Sequence, residues 1–140
     1  MRAIEREWLV ASIAAEDLGE RLRADPSALA GERLRNADYL NFRDNLDLTY
    51  LVRLFAEFGA GLREAWEFAF RRTTVPNARD LIDSLYAQCP ISDDWRDCAH
   101  NIRIYRNVLV HGGGGDAQPI GLRKACSDLC RFFSGLPHHW

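Results

Sequence analysis

The residues able to do chemistry are concentrated in Tyr105–Gly115, which reads Tyr-Arg-Asn-Val-Leu-Val-His followed by four glycines. Arg106, Asn107 and His111 interrupt a run that is otherwise apolar and helical in pattern. Histidine takes and gives protons near neutrality, because its ordinary pKa lies there. Arginine stays charged and offers fixed donors that match phosphate oxygens or a developing negative charge. Asparagine can orient either one, and Asn107 stands one helical turn before His111. These types in this spacing suit phosphodiester chemistry.

A helix must position them. Ser92 reads as its N-cap, with Asp93 and Asp94 in the first turn, where the helix dipole favours negative charge. The helix then runs through Trp95 to His111, and Gly112–Gly115 ends it, glycine accepting the left-handed cap without a steric penalty. With Arg106 at the origin of a helical wheel, Arg103 falls at about 60°, Asn107 at about 100°, His100 at about 120° and His111 at about 140°. His100, Arg103, Asn107 and His111 therefore form one polar strip, with Arg106 on its border. Arg106 and His111 do not share a line of side chains. Either the length of the arginine or a second subunit has to bring the pair together.

The remaining elements are helical as well. Ile4, Trp8, Leu9, Ile13 and Leu18 give residues 3–24 a helical period, which Asp25-Pro26 ends. A short helical piece over Ala28–Arg35 follows. The longest pattern runs from Ala37 to Arg72, with Leu51, Phe55, Phe58, Leu62, Trp66 and Phe70 along one face. Tyr50, Leu54, Ala65 and Ala69 widen that stripe enough to predict burial on two sides. Gly59 and Gly61 each cost about 1 kcal/mol in a helix interior, which predicts a kink or a close helix crossing. Asn77 or Pro76 opens a helix through Leu81, Leu85 and Tyr86, Cys89-Pro90 ends it, and a last helix spans Ile120–Phe133. No strand, repeat or low-complexity linker is evident. The expectation is a single all-α domain over residues 1–140, a bundle of about four to five helices.

An arginine, four intervening residues and a histidine on the penultimate long helix of an all-α domain resemble the R-X4-6-H signature of the HEPN superfamily. The polar residue directly after the arginine, Asn107, fits that pattern too. The resemblance implies an all-α, usually dimeric domain. Many members are metal-independent endoribonucleases of toxin–antitoxin, phage-defence or RNA-processing systems. In these, the arginine and histidine of two subunits line one cleft, and the cut leaves a cyclic phosphate end. Other members are binding or assembly modules without cleavage activity. Carried onto this chain, the resemblance makes Arg106 the stabiliser of phosphorane charge, His111 the acid or base, and Asn107 their positioning group. His100 and Arg103, on the same strip, become substrate-binding residues. No cofactor or metal is expected; the expected partners are RNA, a second copy of the chain and an antitoxin or operon partner protein. Toxins paired with a nucleotidyltransferase antitoxin often carry a tyrosine two residues after the histidine. Here that position is Gly113, so regulation through such a tyrosine is not expected.

Plainer readings exist for each feature. His111 can simply stabilise a helix C-terminus, with Arg106 paired to Asp44, Asp47, Glu57 or Glu64 of the long helix. His100 and Arg103 can be an exposed helix face. Cys126, Cys130 and His138-His139 can be drawn as a zinc site, but thiols one turn apart in an amphipathic helix are more often buried. The glycines lack the pattern of a phosphate loop and follow a helix instead of opening one. Arg71-Arg72 and Arg123-Lys124 can guide an RNA backbone or be scattered surface charge.

Composition excludes further classes. A net charge of −2 and a pI near 6.1 argue against a generic nucleic-acid binder, although from Ala99 onward five basic residues face only two acidic ones. No run reaches the roughly 18 apolar residues of a membrane span, and glutamates in Met1–Trp8 break any secretory core. Four cysteines are too few for a disulfide framework in a chain of this size. A cytoplasmic setting is the simplest expectation.

Overall fold

The computed structural model describes residues 1–71, 74, 76–112 and 117–137, and among them every regular element is helical. The order is α1 (Arg2–Ala24), a 3-10 turn at Ala30–Glu32, α2 (Asn36–Phe70), α3 (Ala78–Tyr86), α4 (Asp93–His111) and α5 (Leu122–Ser134). The expected all-α bundle is what forms.

The long helix α2 packs against all four others. Its stripe of Leu51, Leu54, Phe55, Phe58, Leu62, Ala65 and Trp66 is buried, as the period predicts. Phe58 meets Phe132 and Phe133 of α5 edge-on, with ring centroids 5.5 and 5.2 Å apart. Each large side chain buried in this way contributes about 1.5–3 kcal/mol. The two glycines of α2 differ. A Cβ at Gly61 would stand 2.6 Å from the ring of Phe133, so the missing side chain is what lets α5 approach. At Gly59 the nearest atoms belong to the Arg63 guanidinium, at ordinary contact distance. The helix runs through both as continuous α-helix. The crossing, at Gly61, accounts for one of them.

In α1 the buried line is Ile4, Ala15 and Leu22, with Trp8 half-buried and its Nε1 donating to Asp47 Oδ1 at 2.7 Å. Leu9 and Ile13, expected on the same face, are exposed at 37% and 52%. Leu9 follows Trp8 by one residue and Ile13 precedes Ala15 by two, steps of about 100° and 200° around the helix that turn both away from the buried line. The piece expected over Ala28–Arg35 contracts to the 3-10 turn. Asp25 Oδ1 accepts from both the backbone and the hydroxyl of Ser27, which binds the chain into a local turn instead.

The caps around the candidate region form as read. Asn77 Oδ1 accepts from the backbone N–H groups of Arg79 and Asp80 at 3.0 and 3.1 Å, opening α3. Ser92 Oγ accepts from Trp95 N at 3.3 Å, opening α4. Gly112, with φ of 64°, takes the left-handed position that ends α4. The rest of the glycine run, Gly113–Gly115, lies outside the described residues. No helix of the described residues is long and apolar enough to cross a membrane.

Candidate functional site

Packing decides which way α4 faces. Ala99 and Ile102 are fully buried in the shared core, and α4 contacts α2, α3 and α5. With that line anchored inward, Arg103, Arg106 and Asn107 turn toward α2 and become half-buried. They line a groove of about 320 Å3, closed on its other sides by α2 and the start of α3. Arg63 of α2 and Arg79 of α3 line the same groove, as does Asn77, the cap of α3. Four arginines from three helices thus line one opening.

Their partners are few. Arg106 Nη1 donates to Asn107 Oδ1 at 3.0 Å, which holds the asparagine carbonyl on the arginine. The Nε atoms of Arg103 and Arg106 are both buried without a hydrogen-bond acceptor. Among the described residues, none of the four arginines is within ion-pair distance of a carboxylate. The acidic residues that could have neutralised Arg106 are otherwise placed. Asp44 pairs with Arg43 at 2.8 Å, and Asp47 accepts from Trp8. Neither Glu57 nor Glu64 makes an ion pair with it among the described residues. The reading of Arg106 as half of a structural salt bridge therefore fails within the described residues.

The strip seen on the helical wheel divides at this point. Arg103, Arg106 and Asn107 come together in the groove. His100 does not line it: the ring Nε2 lies 2.8 Å from Asp83 Oδ1 on α3, a contact that ties two helices together. His111 is exposed on the last turn of α4 and does not line the groove either. An added Cβ at Gly112, beside it, would meet none of the described residues within 4 Å. Asn107 and His111 are four residues apart, or about 6 Å along the helix axis.

The groove can therefore hold negative charge, but among the described residues its lining includes no group that transfers protons at neutral pH. Four positive charges line it with no carboxylate paired to any of them among the described residues, and buried donors without acceptors cost free energy. An oxyanion relieves both.

Arg63 and Arg79 were not legible as site residues. The basic pairs singled out in the sequence sit elsewhere: Arg123 lies over the Trp8 ring, and Lys124 Nζ donates to Asp128 Oδ2 at 2.7 Å. Arg71 is exposed at the end of α2, and Arg72 lies outside the described residues. Neither residue carried a local signal, since both lie outside the polar strip of α4 and on other helices.

The thiols are poor nucleophile candidates. Burial pushes the thiols of Cys89 and Cys98 up, and desolvation with a neighbouring Cys130 drives Cys126 up to about 12. Cys126 is fully buried in the core. No group of three His, Cys, Asp or Glu side chains among the described residues is arranged to hold a metal ion. His138-His139 lies outside them.

No protein-family model matches this chain, and no curated protein and no solved structure matches it.

Proposed function

We propose that this protein is a HEPN-like, metal-independent endoribonuclease acting as a homodimer. Arg106 holds the scissile phosphate and stabilises its developing charge. Asn107 orients the arginine, and His111 exchanges protons with the ribose 2′-hydroxyl or the leaving group. One observation carries the reading: on a single helix, an Arg106–Asn107 pair faces an unneutralised groove while the histidine one turn on stays exposed. In this reading His111 completes the site across the dimer, since it does not line the groove of its own subunit. Val110, exposed at about 40° on the wheel between Arg106 and Arg103, offers an apolar contact on the face that such an interface would use. RNA is the substrate class; an antitoxin or operon partner would control the activity.

A second reading is favoured by the absence of a proton-transfer group from the groove lining. Under it, the domain is a non-catalytic HEPN-like module that binds nucleotide, RNA or protein.

An RNA cleavage assay in excess EDTA, with His111→Ala and Arg106→Ala, separates the two. The nuclease reading expects both variants to lose cleavage and a mixture of the two to recover part of it through mixed dimers. Equal RNA decay by wild type and both variants sinks it.

A further inference from the structure

We propose that Arg63 and Arg79 join Arg103 and Arg106 in an anion site contained within one subunit, built for at least two neighbouring phosphate groups of a nucleotide or a nucleic-acid backbone. Arg63 and Arg79 belong to neither the helical strip of α4 nor the Arg/His pair, and only the packing of α2 and α3 against α4 brings them there.

The arrangement has a floor and a rim. Arg103 and Arg106 are half-buried and form the floor, with their Nε donors unsatisfied. Arg63 and Arg79 are exposed and form the rim. Among the described residues, the side chains of Arg63, Arg79 and Arg103 make no hydrogen bond and no ion pair. Such a lining is unfavourable for folding on its own, because its positive charges are left without counter-charges among the described residues and two donors are desolvated without return. An anion reverses each of those terms. The amino end of α3 opens at the same place, adding the positive end of its dipole. Its acidic residue Asp80 does not line the groove, and Asn77 Nδ2 holds it at 2.8 Å.

The number of donors sets the ligand class. One guanidinium can grip a phosphate with two parallel hydrogen bonds, so four of them exceed the needs of a single phosphate. The volume of about 320 Å3 lies at the lower end of the roughly 300–1,000 Å3 of small-molecule sites. Sugar and base therefore extend outside, and phosphates are what the groove itself recognises. The inference does not depend on cleavage, because His111 is not part of the groove.

Calorimetric titration of the full chain at low salt tests it, with inorganic tripolyphosphate and a short oligouridylate as separate probes. Arg63→Gln and Arg79→Gln change exposed side chains and should leave the fold intact, as circular dichroism would verify. The expected result is a loss of about tenfold in affinity for each, the scale of one charge-assisted contact, with Arg43→Gln on the far part of α2 having little effect. Binding of the oligouridylate alone identifies a backbone, and binding of tripolyphosphate alone identifies a nucleotide; either supports the site. Absence of binding by both probes overturns it, as does an equal loss in Arg43→Gln, which would reduce the effect to net charge. A wild type that binds tripolyphosphate yet cuts no RNA sinks the nuclease reading alone, and one whose RNA cleavage depends on Arg106 and His111 but that binds neither probe sinks this site alone.

Discussion

The two halves of α4 treat polar residues in opposite ways. From Asp93 to His100, four polar side chains, those of Asp93, Arg96, Asp97 and His100, have partners. Asp93 accepts from the hydroxyl of Tyr86, Arg96 pairs with Asp97 at 2.7 Å and lies over the Tyr86 ring at 4.5 Å, and His100 meets Asp83. From Arg103 to His111 the pattern reverses. Two arginines bury donors with no acceptor among the described residues, and the histidine is exposed. The first half is joined to α3 and serves as scaffold. The second half accepts a loss of stability that a scaffold has no reason to carry. That loss marks the second half as the functional one, even though the first is richer in charge.

The comparison can be broken or sharpened at several points. The largest effect is expected from His111→Ala in the RNA cleavage assay, a loss of about 10²–10⁴-fold if the residue transfers protons. Thermal stability of that variant should fall by no more than about 0.3–1 kcal/mol, the value of a positive group at a helix C-terminus. A large loss of both together would make His111 structural and erase the contrast. Next in size is Ser92→Ala, which should cost about 1 kcal/mol in chemical denaturation by removing the cap of the scaffold half. Anion affinity should be unchanged in that variant. Arg103→Met should move stability the other way, raising it by up to about 1 kcal/mol as an unsatisfied buried donor disappears, while phosphate binding weakens. A destabilised Arg103→Met would mean that the arginine contributes to the fold after all.

The smallest effect concerns alkaline pH. The hydrogen bond to Asp93 raises the Tyr86 pKa above its ordinary value of 10.0, and the protonated phenol is the stabilised form. Its contribution is complete below that ordinary value and is lost as pH rises through the raised one. Tyr86→Phe should accordingly flatten the alkaline end of a stability–pH profile. If the slope is the same in wild type and variant, the Tyr86–Asp93 link does not hold the scaffold half in solution.

Much of the architecture was legible along the chain. The period of Leu51–Phe70, the caps at Asn77 and Ser92 and the glycine after His111 are local signals, and each formed where it was read. Where reading along the chain fell short, the cause was a decision between neighbours. The α1 stripe was drawn too wide because Leu9 and Ile13 are as apolar as the residues that are buried, and only the place of α2 selects among them. Gly59 and Gly61 look alike in sequence, yet only Gly61 faces a ring.

For the candidate site, the sequence by itself determined the residue types on α4, their helical spacing and the helix end that leaves His111 exposed. Those are properties of one helix, set by a period of about 3.6 residues and by capping. The tertiary structure alone decided that Arg103, Arg106 and Asn107 face α2, that His100 goes to Asp83, and that Arg63 and Arg79 arrive at the same opening. The burial of Ala99 and Ile102 sets the rotation of α4, and a charge distant in sequence has no local signature of where that rotation brings it.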